Sequence, residues 1–305
     1  MCPARWEPEP DWHPLPGGTG TSTVGVWRTA IGDQPVVVKR LARPAPHDPG
    51  ELSEPTHFAY WRREADVLST GIVGETDGLR APTAAVEEDA DGITITREWV
   101  EDAATSGLFV AMALGRFAGS LTVRPRFLAR DQLRDRLART ERRGGWPTLA
   151  RTPVADVAHH LWRGRQGMLD RVAALPQVPQ HGDPAPVNLP GREHDRVVAI
   201  DWAMLGIGHV GSDLGLYALA AREEFEPLVE AYLMGLDPGL ASEEDVVTGA
   251  RITAVYTALT RAEWALERVS AGEGALVSKF RHPAVAPHLR ALQRQFPQIE
   301  ALLEA

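Results

Sequence analysis

The chain has 305 residues, 44% hydrophobic and 24% charged, with a formal net charge of −9, enough apolar material for two lobes and too much for a disordered chain. The acidic balance disfavours a nucleic-acid surface, which needs a concentrated basic face, and gives a slight lean toward cationic substrates. A single cysteine, Cys2, allows no internal disulfide, the opening MCPARWEPEPDW lacks an apolar leader core, and no apolar run reaches the ~18 residues of a membrane span, so the expectation is a cytoplasmic monomer or homodimer without membrane contact.

Residues 3 to 16 and 44 to 55 are rich in proline and read as loops. After the first comes PGGTGTS, with Gly17, Gly18 and Gly20. A glycine-rich turn between strands can lay backbone N–H groups over phosphates; a simple hairpin turn fits the same residues. Ser22 to Thr29 and Pro35 to Lys39 read as strands joined through Ile31-Gly32-Asp33-Gln34. Of 32 Lys plus Arg only Lys39 and Lys279 are lysine, which singles out Lys39 at the end of Val36-Val37-Val38. A strand-end lysine snorkelling to solvent is the plainer alternative.

A helix is expected from about Glu54 to Thr70, with Phe58, Trp61, Ala65 and Leu68 at spacings of three and four and Gly71 as its stop. Glu64 lies in its middle; the neighbouring Arg63 and Asp66 keep a solvated-face reading of it open. Pro82 to Glu87 and Ile93 to Glu98 read as strands around the turn Asp89 to Gly92. Beyond the connector Trp99-Val100-Glu101-Asp102 the periodicity becomes helical. This divides the chain into a first lobe (1–98), a hinge (99–102) and a helical lobe (103–305). Leu108, Met112, Leu114 and Phe117 form one expected stripe, Arg126 to Arg142 reads as a solvated charged helix rather than an anion site, with Leu128, Leu133 and Leu137 inside, and Asp156 to Leu175 as a further helix.

The segment Gln180 to Trp202, QHGDPAPVNLPGREHDRVVAIDW, places His181, Asp183, Asn188 and Asp201 around a predicted hairpin. A turn over Gly191 to Arg196 brings Asn188 and Asp201 to its open ends, with Asp183 nearby. Hard oxygen donors of this kind suit Mg²⁺. A transition metal is disfavoured, because His159, His160, His194 and His209 show no ligand spacing such as H-E-x-x-H. A helix should start near Ser212 or Asp213, followed by helices near Pro227 to Gly235, Glu243 to Ser270 and Pro283 to Glu304. The Glu243 to Ser270 stripe runs through Val246, Ile252, Val255, Leu259, Trp264 and Leu266.

The pattern H-x-D-x-x-x-x-N in HGDPAPVNL, an aspartate thirteen residues later in Ile200-Asp201-Trp202, and the trailing GSDLG of residues 211–215 resemble the aminoglycoside phosphotransferase and choline kinase-like group of small-molecule kinases. Gly182 and the absence of Phe-Gly after Asp201 separate it from the protein kinases. The resemblance implies an α+β bilobal protein-kinase-like fold, ATP or GTP with Mg²⁺, and a small hydroxylated acceptor. By the same resemblance Asp183 orients or deprotonates the acceptor hydroxyl, His181 braces the loop, and Asn188 and Asp201 hold Mg²⁺. Lys39, partnered by Glu64, falls to the α/β-phosphates, and Gly18, Thr19 and Gly20 to the phosphate-covering loop, although Thr23 stands where a third glycine would. Glu98, Trp99 and Val100 fall to adenine, with Ile200 as an apolar wall beneath it. Asp213 either caps its own helix or ties the catalytic loop to the lobe. Glu223, Glu224, Glu226, Glu263 and Glu267 are candidates for a cationic acceptor such as an antibiotic, although each by itself reads more readily as solvated helix surface. Pro184 and Ala203 depart from the family pattern. A catalytically inactive nucleotide-binding regulator is the competing reading, against which the complete Lys, Glu, Asp, Asn, Asp set speaks.

Overall fold

The β-branched runs of the first hundred residues pair into one antiparallel sheet in the computed structural model, which describes residues 6–17, 20, 22–74, 76–146, 153–270 and 282–304. Its strands are β1 (His13–Pro14), β2 (Thr23–Ile31), β3 (Gln34–Ala42), β5 (Ala84–Glu88) and β6 (Gly92–Glu98), in spatial order β1-β2-β3-β6-β5. β3 lies in the middle, paired with β2 and β6, so Val36, Val37 and Val38 are all buried. A central strand tolerates a continuous apolar run in this way, where an edge strand would alternate.

α1 (Arg63–Thr70) packs on this sheet and ends at Gly71, whose φ of 62° is left-handed. The helix expected from Glu54 therefore begins nine residues late. Pro55 cannot donate an amide, and the carbonyls of Pro55 and Phe58 accept from the Arg63 guanidinium, as does that of His57 alongside a turn hydrogen bond from the Tyr60 amide. Phe58 is buried all the same; its spacing reported burial, not helical period.

The second half is mainly helical: α2 (Gly107–Ser120), α3 (Gln132–Arg142), α4 (Pro153–Ala173), α5 (Ser212–Ala218), α6 (Phe225–Gly235), α7 (Glu243–Ser270), α8 (Ala286–Arg294) and α9 (Phe296–Glu304). Two small sheets interrupt it. β7 (Gln177–Gln180) pairs with β10 (Gly206–His209), while β8 (Gly191–Glu193) and β9 (Arg196–Val198) form a hairpin that β4 (Leu79–Arg80) joins in parallel. One core cluster gathers Val110, Leu114, Phe117, Leu205 and Tyr232 around Trp202; another packs Leu133, Leu137 and Leu161 against Ile252, Val255 and Leu259 of α7.

Four expectations need correcting here. Leu108 is 41% exposed and Trp264 44% exposed, so the α2 stripe runs through Val110, Leu114 and Phe117, and Trp264 leaves the α7 stripe. The Arg126 to Arg142 segment is helical only from Gln132, where Asp131 takes a left-handed φ of 51°. The last predicted helix is two, broken at Gln295, because Pro297 has no amide to donate to the Gln293 carbonyl and its ring crowds that carbonyl. Lys279 lies outside the described residues. No described helix is long and apolar enough to cross a membrane.

Candidate active site

Lys39 leaves the central strand with its neighbours Val26 and Ile95 on either side, and its side chain reaches two carboxylates. Its Nζ donates to Glu64 Oε2 at 2.6 Å and to Asp201 Oδ1 at 2.8 Å. Burial opposes the ammonium charge, but Glu64 and Asp201 outweigh it and hold the Lys39 pKa above its ordinary value. Asp201 shows the mirror image: desolvation works against its charge, and Lys39 keeps its pKa below the usual carboxylate range. Glu64 is buried, and desolvation pushes its pKa up against the pull of Lys39. The snorkelling reading of Lys39 and the solvated reading of Glu64 both fail, since neither group reaches bulk water.

The neighbouring Arg63 was passed over in the sequence as surface charge, yet it is fully buried. Its five N–H groups meet five carbonyls. Nε donates to Phe127, Nη1 to Phe58 and Ala203, and Nη2 to Pro55 and His57. It thus ties α1 to the turn at Phe127 after α2 and to the residues that follow Asp201. A buried guanidinium is tolerable only with such complete hydrogen bonding.

The lower half of the site is the loop from His181 to Pro190 and the β8–β9 hairpin. The hairpin turn is two residues, His194-Asp195, tighter than the expected Gly191 to Arg196, and Gly191 pairs with Val198 within it. His181 is buried against Trp202, ring centroids 4.7 Å apart. Its Nδ1 accepts from the Asp183 amide at 3.3 Å, so Nε2 carries the proton and donates to the Ile200 carbonyl at 3.0 Å. Both ring nitrogens are committed to backbone. The Asp213 carboxylate accepts the His181 amide at 2.6 Å and the Gly182 amide at 2.9 Å, while its own helix begins at Gly211 without a side-chain cap. The tie to the loop, not the helix cap, is what the carboxylate makes. Gly182 sits at φ 84°, a conformation that excludes the arginine of protein kinases.

Asn188 donates Nδ2 to the Asp183 carbonyl at 2.9 Å and to Asp183 Oδ2 at 3.2 Å, and its own carbonyl accepts the Ile200 amide at 2.9 Å. Asp183, Asn188, Ile200, Asp201, Lys39 and Glu64 therefore form one connected chain of contacts. Asn188 has Oδ1 left over and Asp201 has Oδ2, two oxygen donors of the kind Mg²⁺ accepts. No group of three His, Cys, Asp or Glu able to hold a metal occurs among the described residues.

Of the connector, Glu98 donates its amide to Thr83 and Trp99 donates to the Pro35 carbonyl; the Trp99 ring lies under the Arg28 guanidinium at 4.4 Å. Val100 packs its side chain against Gly191, and its amide has no backbone acceptor among the described residues. In the glycine-rich loop, Gly20 accepts the Thr23 amide at 3.0 Å, and Gly18 and Thr19 lie outside the described residues.

Around Asp183 the helical half contributes arginines. Arg261 of α7 places Nη2 3.8 Å from Asp183 Oδ1, and Arg136 of α3 donates to the Gly182 carbonyl at 3.1 Å. Arg136 lies in the segment read as a solvated helix rather than an anion site, and Arg261 interrupts the α7 stripe; α3 and α7 are distant in the chain, so nothing in the sequence joins either residue to Asp183. Of the candidate glutamates, Glu263 is buried and bonded to Arg143 and Thr140. Glu223 accepts the Gly107 amide at 2.9 Å, capping α2 from a distance. Glu224 and Glu226 are exposed at the start of α6, and Glu267 is exposed on α7.

The profile of the Phosphotransferase enzyme family matches residues 11–246. No curated protein matches the sequence. Among solved structures, a choline/ethanolamine kinase family protein from Mesorhizobium loti is 18% identical, covering 93% of this chain and 92% of its own, with a TM-score of 0.56. The GDP complex of aminoglycoside 2'-phosphotransferase-IIIa is 12% identical over 93% of this chain and 91% of that one, at 0.62. Choline kinase LicA from Streptococcus pneumoniae is 12% identical over 95% and 93%, at 0.56. At these identities the likeness is one of fold, the kinase-like arrangement of an antiparallel sheet followed by a helical half.

Proposed function

The chain belongs to the phosphotransferase enzyme family, and we propose that it moves the γ-phosphoryl group of ATP or GTP, with Mg²⁺, to a hydroxyl of a small molecule. The observation that carries this reading is the connected set from Glu64 through Lys39 and Asp201 to Asn188 and Asp183. Phosphoryl transfer asks a protein for positioning and charge neutralisation more than for covalent chemistry, and each member has such a task. Lys39, held protonated and aimed by Glu64, binds the α/β-phosphates. Asn188 and Asp201 would hold the divalent cation, which would supply neutralisation of phosphate charge. Asp183, fixed by Asn188, orients the acceptor hydroxyl and takes its proton as the new O–P bond forms and the bond to the leaving nucleoside diphosphate breaks. His181 takes no part in proton transfer, because both ring nitrogens hold the loop.

In this reading residues 1–98 form the nucleotide lobe, 99–102 the hinge and 103–305 the lobe that carries the acceptor. Glu98 to Val100 meet the base, with the uncommitted Val100 amide as donor and Ile200 as the apolar wall, and Gly18, Thr19 and Gly20 cover the phosphates. That one structural relative was solved with GDP and LicA with AMP supports a purine nucleotide here.

In Asp183→Ala, acceptor-dependent ADP release should fall at least about 100-fold, while calorimetry still records Mg-nucleotide binding. In Asp201→Ala the gain in nucleotide affinity on adding Mg²⁺ should vanish. Unchanged turnover of Asp183→Ala in a radiolabelled phosphate assay would sink the reading.

A further inference from the structure

Asp183 has cationic neighbours from α3 and α7. Arg261 lies 3.8 Å from its Oδ1, too far for a hydrogen bond, so the guanidinium is near Asp183 without being consumed by it. Arg136 comes from the other flank, where its Nη2 donates to the Gly182 carbonyl at 3.1 Å and to Gln132 Oε1 at 3.4 Å. Neither side chain is paired with a carboxylate in a hydrogen-bonded ion pair among the described residues. Their neighbours differ: Arg139 and Arg142 are matched by Glu51, and Arg143 by Glu263. Arg136 and Arg261 stand close enough to repel one another, and Arg261 also disfavours protonation of His288, after burial has already lowered that pKa. Two like charges held together beside one carboxylate are costly unless something else arrives.

The acids that would draw a cation to the same place are otherwise engaged. Glu263, two residues from Arg261, is buried and bonded to Arg143 and Thr140. Glu223 caps α2. The net charge of −9 does not decide the matter, since fields of distant surface charges are screened beyond roughly 8–10 Å. Three residues past Arg261, and so on the same face of α7, Trp264 is 44% exposed with its ring 6.4 Å from that of His288. Its ring lies under the Arg268 guanidinium at 4.8 Å, which adds another cation to that face of α7.

From this placement we infer that the acceptor carries an oxyanion, a carboxylate or a phosphate, next to the hydroxyl it presents to Asp183, with Arg261 and Arg136 as its binding residues. The inference rests on the phosphotransferase reading and narrows its substrate class. It reverses the lean toward a cationic acceptor that the overall charge suggests.

The test uses the full chain with MgATP and measures ADP release with a carboxylate arm (glycerate, malate), a phosphate arm (glycerol 3-phosphate, glucose 6-phosphate) and a cationic arm (choline, ethanolamine, kanamycin). Calorimetry on the MgADP-loaded protein measures binding of the same compounds. Turnover or binding is expected in one of the two anionic arms, which tells carboxylate from phosphate, and not in the cationic arm. Arg261→Ala should then raise KM for the anionic compound at least tenfold while kcat changes far less, and Arg261→Lys should recover part of the loss. Arg261 is 43% exposed in its side chain, so the variant should fold, and its thermal melt verifies this. Signal confined to the cationic arm, signal in no arm, or a KM unmoved by Arg261→Ala overturns the inference. Failure of the phosphotransferase reading would show separately, as absent Mg-dependent ATP hydrolysis by the parent protein without any acceptor.

Discussion

Two glycines with nearly the same backbone show how much of the site rests on single residues. Gly71 and Gly182 both have left-handed φ, 62° and 84°. A Cβ on Gly71 would meet nothing within 4 Å, whereas one on Gly182 would lie 2.8 Å from Gln132 Nε2 and closer still to the Met204 carbonyl. Gly71→Ala should therefore cost only the conformational term, about 1 kcal/mol in a urea titration. Gly182→Ala adds a backbone clash and should cost roughly 2 kcal/mol or more, with loss of turnover because the Asp213 clamp on residues 181 and 182 is pushed off. Equal costs at the two positions would contradict this account. Lys39, Glu64, Asp183, Asn188 and Asp201 could be picked out in the sequence because their chemistry lies in side-chain identity and order. Arg136 and Arg261 could not, because only the packing of α3 and α7 brings them to Asp183.

At the scale of elements, α1 carries the lesson. Its stop at Gly71 was readable, since a left-handed terminus has a residue signature, but its start was not. The chain from Pro55 to Phe58 turns its carbonyls toward Arg63, a tertiary arrangement that no local period announces. Sheet strands were read more closely, because β3 carries an apolar run and β6 an alternation of isoleucine with threonine, each bounded by a turn. If Arg63 is what fixes α1, and with it Glu64, then Arg63→Met should leave the carbonyls of Pro55, Phe58, Phe127 and Ala203 without donors, while that of His57 keeps the Tyr60 amide. With each unsatisfied group costing on the order of 1 kcal/mol or more, urea unfolding should record a loss of about 3 kcal/mol or more. Turnover of the surviving folded protein should fall as well, since Lys39 loses its fixed partner. A stable variant with normal turnover would show that α1 is held by its apolar contacts alone.

For the whole molecule, acid stability is set by where proton uptake differs between folded and unfolded chain. His209 on β10 is buried, with Nε2 2.7 Å from Thr253 Oγ1 on α7, so it joins the β7–β10 sheet, which leads into the His181 loop, to α7. Burial lowers its pKa to about 4, against about 6.5 in an unfolded chain. The folded-state value is depressed, so this contribution is complete above pH ~6.5 and is lost as the pH falls from there to ~4, where both states are protonated. A difference near two and a half pKa units corresponds to about 3 kcal/mol. Asp89, held at about 2 first by its hydrogen bond from Arg40, acts in a lower and separate window, from the unfolded value of ~3.9 down to ~2. Urea midpoints should therefore be flat from pH 8 to 6.5, fall steeply to pH 4, and fall again below it. His209→Gln, which keeps a polar side chain but cannot titrate, should flatten the upper step and leave the lower one. Persistence of the upper step in that variant would assign it to another group.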